Sequence, residues 1–526
     1  MPGGNGRRHK GRCWGLAVAA GIGGLLALSG CTVGPDYEKP DAPVPAAYKE
    51  AWKPGPTETG WRQARPADAI DRGAWWSIFH DPVLDSLVRQ IDISNQNLKA
   101  AEAAFREAEA TVAAARAQFF PTATLDASAS RSRGSGGGGS AVVTGSGAVV
   151  GGGGGGGHIS NQFTVTANAS WVPDLWGSVR RLVEGNIASA QASAATLANV
   201  RLSAQGTLAT AYVELRTADE LAHLLSQSVK YYEQALKIVT NQYRGGTTDR
   251  SAVEQAQAQL EATRAQLIAV QQTRGQLEHS IAVLIGKPPA ELTIPPTNRA
   301  LVVPLIPADV PSALLERRPD IAAAERDMQT ANAQIGVDVA AFYPTVTLSA
   351  DYGVSASMLR KLFTTASRIW SLGASAAETI FDGGARNAQL EHDKAAYDGA
   401  IATYRQTVLA GFQQVEDQLL AQRVLADQAV AQDAAVKAAR AAEATINNQY
   451  LAGTQAYTAV IVAQNTALGD AETALNIRQS RLVASVALIE ALGGGWDASQ
   501  IPSADKIESD APLNFNPLPP VVAPRK

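Results

Sequence analysis

The chain has 526 residues, of which 46% are hydrophobic and 18% charged, and its mean hydropathy is −0.07. These values are ordinary for a globular chain and exclude a polytopic helical membrane protein, which needs several apolar runs of about 20 residues. The formal charge of −4 gives no basic face for a nucleic-acid partner, and the two cysteines, Cys13 and Cys31, lie too near the start to cross-link the main fold.

The first thirty residues predict a secretory signal peptide, because basic side chains precede a short apolar stretch at 14–28. The stretch ends at Leu28-Ser29-Gly30-Cys31, which resembles the lipobox of bacterial lipoproteins. This likeness implies cleavage before Cys31, a covalent lipid on Cys31 and an acylated linker over 31–74, with no other cofactor. An ordinary signal with a chance cysteine is the alternative. One acyl chain attaches a protein only marginally, so a second membrane element is expected.

The rest of the chain contains two copies of one unit. FFPTATL at 119–125 reappears as FYPTVTL at 342–348, and NQYRGGT at 241–247 reappears as NQYLAGT at 448–454. The first copy is longer between these anchors, and we assign the excess to the glycine-rich tract 134–157. Glycine loses the most backbone freedom on folding, so this tract predicts a mobile loop at the connection between two strands.

Each copy predicts a first helix, two strands, a long helix and a shorter returning helix. The first helices are expected over about 84–118 and 312–341, each ending before a proline. The strand segments alternate polar and apolar residues and have the length of tilted membrane-crossing strands. A soluble sheet with one wet face is the alternative. The strands are expected at about 121–131, 160–172, 344–357 and 368–381.

The long helices are expected over about 180–243 and 386–450, with returning helices over about 251–286 and 457–492. Apolar residues in the first long helix step by alternating fours and threes, which is a heptad seam typical of coiled coils. We therefore divide the chain into a first repeat over 75–300 and a second repeat over 301–496. A proline-rich tail at 497–526 is expected to be loosely ordered.

Four strands per chain have a consequence for assembly. A sheet in lipid must close on itself, since open edges leave backbone groups unpaired, and known barrels need about eight strands. Four strands cannot do this alone, so several chains must share one barrel. Two chains would supply eight strands and three would supply twelve, and the requirement for a closed sheet does not decide between a dimer and a trimer.

The motifs together resemble the TolC-like outer membrane factors, in their lipoprotein branch of NodT or OprM type. GCTVGPDYEKP at 30–40 is similar to the start of that branch, and WWSIFHDPVLDSLV at 75–88 to its first-helix entry. DLWGSVRR at 174–181 and IFDGGAR at 380–386 are similar to its strand-to-helix corners. RRPDIAAAE at 317–325 and ALGGGW at 491–496 are similar to the opening of its second copy and the close of its last helix.

This resemblance implies a fold, a function and partners. The fold would be mainly α with membrane β, with a 12-stranded β-barrel on an α-helical barrel in a homotrimer. The function would be that of a passive outer membrane duct of a tripartite efflux pump, exporting drugs or other small molecules. The partners would be a periplasmic adaptor, an inner-membrane pump of the RND class and outer membrane lipid.

The resemblance also implies roles for the turns that join the long and returning helices. These turns would form the periplasmic tips that contact the adaptor. The alternative is that each glycine only terminates a helix and the turns have no partner. The residues concerned are Tyr243, Gly246, Tyr450 and Gly453.

Relatives constrict the aperture with an acidic residue and an arginine after the second tip, and here those positions are Val462 and Asn465. The usual charged latch is therefore in doubt, and an apolar valve or another lock is expected. The aperture candidates are Asp249, Arg250, Glu254, Thr458, Val462 and Asn465.

Enzyme chemistry is not indicated. The six histidines are scattered, without metal-ligand spacing, and no nucleophile stands beside a candidate base. We predict neither a catalytic nor a metal site. The competing class is a structural coiled-coil envelope lipoprotein without transport activity, which explains the heptads but not the four strand segments at matching points of two repeats.

Overall fold

The computed structural model describes residues 32–50, 74–133, 159–304, 306 and 314–515. The predicted signal peptide, Cys31 and the glycine-rich tract lie outside these residues. Short 3₁₀ turns occupy Trp75–Phe79, Pro289–Glu291, Leu359–Lys361, Thr365–Ser367 and Ala498–Gln500. The strands are β1 (Thr122–Arg133), β2 (Ile159–Trp171), β3 (Thr345–Ala356) and β4 (Arg368–Ala377). The helices are α1 (Pro82–Ser94), α2 (Gln96–Ala117), α3 (Ser178–Arg244), α4 (Arg250–Leu284), α5 (Leu314–Arg317), α6 (Pro319–Ala340), α7 (Ala385–Leu451), α8 (Tyr457–Ala491) and α9 (Ala504–Asp510).

The first helix of each repeat is interrupted, whereas the sequence predicts one continuous helix. Asn95 stops α1 and its side chain accepts a hydrogen bond from the backbone N–H of Leu98 at 2.9 Å, which caps α2. In the second repeat Pro319 opens α6, and the residue before it, Arg318, is extended. A proline forces this conformation on its predecessor.

The four strands form one antiparallel sheet in the order β1-β2-β3-β4. Each repeat contributes one hairpin, and β2 pairs with β3 to join the two repeats. β4 ends at Ala377, four residues before the predicted end at 381, because the chain then turns into the corner that leads to α7. In that corner Asp382 accepts from the backbone N–H of Gly384 at 2.9 Å.

The long helices α3 and α7 each have 67 residues, and the returning helices α4 and α8 each have 35. At 1.5 Å per residue a 67-residue helix is about 100 Å long. α3 packs against α2, α4, α6 and α8, and many seam residues such as Leu208, Leu215 and Leu225 are buried. α7 packs mainly against α6 and α8, and much of its surface has no neighbour in the described chain.

Both ends of the described chain bind along the helices. The N-terminal strap, residues 32–50, follows α3, α6 and α7, and its Tyr48 is buried against Phe412. The tail, which the sequence predicts to be loose, is ordered over residues 497–515. Its helix α9 inserts Ile507, which is fully buried, between α2 and α3. Arg116 donates to the Glu508 carbonyl at 2.7 Å, which fixes the end of α9.

Candidate functional site

The sheet separates an apolar face from a polar face. The pairing register places Leu125 opposite Ala167, Ala167 opposite Tyr352 and Tyr352 opposite Trp370, all on the apolar face. The next row across the strands is polar and consists of Thr124, Asn168, Asp351 and Ser371. On this face Asn168 donates to Asp126 at 2.5 Å, and Ser371 donates to Asp351 at 2.6 Å.

The apolar face has no cover within the described chain. Leu125, Trp370 and Leu372 are 76%, 74% and 75% exposed. A contiguous apolar surface of this kind marks an interaction with protein or membrane. The outer strands β1 and β4 also have one unpaired edge each in the described chain.

None of the described helices has an apolar stretch sufficient to cross a membrane.

Aromatic side chains gather where the sheet meets the helices. The Trp171 indole donates to the Phe119 carbonyl at 3.0 Å, and the Trp176 indole donates to the Pro344 carbonyl at 2.8 Å. Trp176 also stacks on Tyr343, with ring centroids 4.9 Å apart. Tryptophan and tyrosine with satisfied polar atoms are typical of a membrane interface. The corners enclose a cavity of about 640 Å³.

The turn between α3 and α4 is a Schellman motif. The N–H of Gly246 donates to the Tyr243 carbonyl and the N–H of Thr247 to the Gln242 carbonyl, both at 2.9 Å. Gly246 has a φ of +74°, which glycine adopts without strain.

The turn between α7 and α8 has the same structure. The N–H of Gly453 donates to the Tyr450 carbonyl and the N–H of Thr454 to the Gln449 carbonyl, again at 2.9 Å. Gly453 also has a φ of +74°. The four predicted tip residues therefore lie at the ends of two equivalent helical hairpins.

Side chains connect the two hairpins near these turns. The Tyr450 hydroxyl donates to the Gln242 side chain, and Gln259 donates to Asn465 at 2.6 Å. Tyr457 packs beside Tyr450 and Val239, and burial raises its pKa to about 12. Sequence reasoning missed Gln242 and Gln259, although Gln242 lies inside the repeated NQY motif.

The remaining aperture candidates have local contacts. Asp249 caps α4 by accepting from the Ala252 N–H at 3.1 Å, and hydrogen bonds, first from Ser251, hold its pKa below the usual range. Arg250 pairs with Glu254 at 2.8 Å on an exposed surface.

Thr458 and Val462 line a groove of about 470 Å³ between α7 and α8, and Val462 is 65% exposed. The structure thus brings Asn465 to α4 and leaves Thr458 and Val462 on the open side of α8.

A buried ionic network joins the middle of α3 to the last third of α4. Asp219 accepts from Arg216 at 2.9 Å and from Arg274 at 2.7 Å, and the Thr297 N–H donates to it at 3.2 Å. Arg274 also donates to Glu278 at 2.5 Å. This network fixes α3, α4 and the segment after α4 to one another. Within the described residues, no group of three or more His, Cys, Asp or Glu side chains could hold a metal ion.

Comparison with known proteins gives consistent results. Residues 87–287 and 310–494 match the outer membrane efflux protein family. The probable efflux pump outer membrane protein TtgC of Pseudomonas putida is 30% identical over 483 residues, covering 91% of this chain and 95% of TtgC. The cation efflux system protein CusC of Escherichia coli O6:H1 is 26% identical over 474 residues, covering 90% of this chain and 97% of CusC.

Solved structures agree with these sequence matches. The outer-membrane channel OprN is 29% identical, with a TM-score of 0.76 over 89% of this chain and 100% of that one. The open MtrE channel of Neisseria gonorrhoeae is 26% identical, with a TM-score of 0.74 over 89% of this chain and 99% of that one. These likenesses confirm the predicted fold class.

Proposed function

The chain belongs to the outer membrane efflux protein family, and on that basis we propose that three copies form one duct through which an efflux pump empties to the exterior. Its function is that of the outer membrane channel of an efflux system. In this proposal the two repeats, 75–300 and 301–496, are two similar halves of one wall. The duct catalyses no reaction, and the energy for transport comes from the pump.

The uncovered apolar face of the sheet carries this proposal. Lipid is the environment in which that face is stable, and lipid requires that the edges of β1 and β4 be paired. Three copies supply twelve strands, in agreement with the family resemblance. α7 also needs neighbours, since its apolar residues Leu409, Leu420 and Val430 are exposed in the single chain.

The lipid anchor on Cys31 is part of the proposal. Thr32 packs against Gly177, and the N–H of Val33 donates to the Trp176 carbonyl at 3.1 Å. Thr32, the residue that directly follows Cys31 in the chain, therefore lies at the base of the sheet, where a lipid on Cys31 would reach the inner leaflet. Palmitate labelling of the wild type and of Cys31→Ala tests the modification.

The tips are proposed as the contact with a periplasmic adaptor, which in turn binds an inner-membrane pump of the RND class. Cysteines at Gly245 and Ala452, equivalent exposed positions in the two turns, should cross-link to the adaptor in cells. A cysteine at Lys394, exposed near the other end of α7, is the matched control. Equal trapping at all three positions would count against tip contact.

The aperture is proposed to close without the charged latch of several relatives. Its second-repeat residues Thr458 and Val462 are uncharged, and Asn465 is held by an amide hydrogen bond from Gln259. Asp249, Arg250 and Glu254 are the charged candidates. Replacing Asp249 by Asn separates its two roles, because asparagine keeps the helix cap and removes the charge.

Purified mature protein in detergent tests the duct itself. We expect heat-resistant trimers that give stepwise single-channel currents in planar bilayers. The Cys31→Ala variant should remain in the outer membrane, because the sheet holds it there. A soluble, non-conducting rod from that variant would instead identify a structural envelope lipoprotein.

A further inference from the structure

The two hairpins are related by a constant shift of 207 positions, since α3 and α7 have equal lengths and so do α4 and α8. Each buried contact of the first hairpin can therefore be compared with its counterpart in the second. In the first hairpin, Arg274 has two carboxylate partners, Asp219 and Glu278.

The second hairpin keeps the arginine and lacks both carboxylates. The counterpart of Arg274 is Arg481, whereas Ala426 stands at the position of Asp219 and Ser485 at that of Glu278. The Nε of Arg481 is buried and makes no hydrogen bond within the described chain. The counterpart of Arg216, Arg423, pairs with Glu50 of the N-terminal strap instead.

A cavity of about 470 Å³ adjoins Arg481, between α3, α7 and α8. Two more guanidinium groups line it, those of Arg440 and Arg478. Of the two carboxylates in the lining, Glu220 is paired with Arg478. One carboxylate, that of Asp433, therefore remains to balance two guanidinium charges, those of Arg440 and Arg481. The cavity therefore carries a net positive charge of one with all five groups ionised.

We propose that this cavity binds a small oxyanion such as phosphate, which supplies Arg481 with the acceptor that Asp219 gives Arg274. A guanidinium donates through a planar fork that fits oxyanions, and its charge strengthens the bond. The bound anion would join α8 to α7 and α3 across the junction of the two repeats.

Thermal unfolding of the purified mature protein in detergent tests the site. Inorganic phosphate is titrated against chloride at matched ionic strength. The unfolding midpoint of the wild type should rise with the logarithm of the phosphate concentration above the dissociation constant. Phosphate also stabilises proteins generally by exclusion from their surface, so only the part of the rise that Arg481→Gln abolishes counts.

Ala426→Asp is the second variant and restores the carboxylate of the first hairpin. In chloride, the unfolding midpoint of this variant should exceed that of the wild type. Phosphate should raise the midpoint of Ala426→Asp no more than it raises that of Arg481→Gln. Arg201→Gln, which removes an exposed pairing with Asp92, should keep the full phosphate response. Equal phosphate responses of the wild type and Arg481→Gln would overturn the proposal, whatever Ala426→Asp does. Radiolabelled phosphate retained by the wild type and lost from Arg481→Gln would support it independently.

Discussion

The bond between the Tyr450 hydroxyl and the Gln242 side chain connects the two hairpins next to their turns. Tyr450→Phe removes one oxygen and leaves the ring beside Tyr457. A neutral hydrogen bond contributes about 1 kcal/mol net, with a range of about 0.5–1.5. If the bond exists only in the closed tip, its loss shifts the closed-to-open ratio about fivefold towards open.

The repeat supplies a matched control. Tyr243 is the counterpart of Tyr450 and is 45% exposed, and its hydroxyl makes no hydrogen bond within the described chain. Single-channel recording in planar bilayers measures the open probability of both variants. Tyr450→Phe should raise the ratio of open to closed time about fivefold, and Tyr243→Phe should leave it unchanged.

A second bond tests additivity. Asn465→Ala removes the 2.6 Å contact with Gln259, and on the same reasoning it shifts the ratio about fivefold. The double variant with Tyr450→Phe should then approach 25-fold, because independent contacts add in free energy. Equal open probabilities for Tyr450→Phe, Tyr243→Phe and the wild type would refute the assignment of this bond to the closed tip.

Three further predictions concern stability. Burial and the hydrogen bond to Asp393 raise the pKa of Asp338 to about 6, above its unfolded value of about 4. Its contribution to stability is therefore present at low pH and is lost as the pH rises from about 4 to about 6. In Asp338→Asn the midpoint of thermal unfolding should depend less on pH over that interval. Ala456→Asp should add to α8 the cap that Asp249 gives α4, worth about 1 kcal/mol, and slow amide exchange in the first turn about fivefold. Ile507→Ala should cost about 2–5 kcal/mol locally and release α9, whereas Ile507→Val should cost about 0.5–1.5.

Each of these predictions has a contrary outcome. An unchanged pH slope in Asp338→Asn would place the titrating group elsewhere. Exchange in Ala456→Asp at the wild-type rate would mean that the first turn is already capped in the assembled protein. Trypsin cleavage after Lys506, in α9, should accelerate far more in the alanine variant of Ile507 than in the valine variant, and equal rates in both variants would show that α9 does not depend on this side chain.

The repetitive elements were predictable from the sequence because their periodicity is local. Alternation by two gave the strands, and a seam repeating in sevens gave α3 within two residues at each end. The turns after α3 and α7 followed from a glycine after each long helix, which is a local turn signal. Errors arose where one side chain interrupts a pattern, as Asn95 does between α1 and α2.

Contacts between distant parts of the chain could not be predicted in this way. Nothing near Gln242 in the sequence indicates Tyr450, and nothing near Asp219 indicates Arg274. The tail was predicted to be loose because its composition is rich in proline. It is ordered because Ile507 enters a groove between α2 and α3, and a groove between helices has no signature in the segment that fills it.

The equal lengths of α3 and α7 restrict how this architecture can change. Inserting one residue into either helix would advance its tip by about 1.5 Å and rotate the following seam by about 100°. The two turns would then lie at different heights, and the side chains that join them would point apart. An insertion of seven residues, which is about two turns, restores the facing of the seam, and the long and returning helices of both hairpins must receive it together. The helical wall can therefore lengthen or shorten in steps of about 10 Å, taken by both hairpins together. These steps limit the widths of the compartment that such a wall can span.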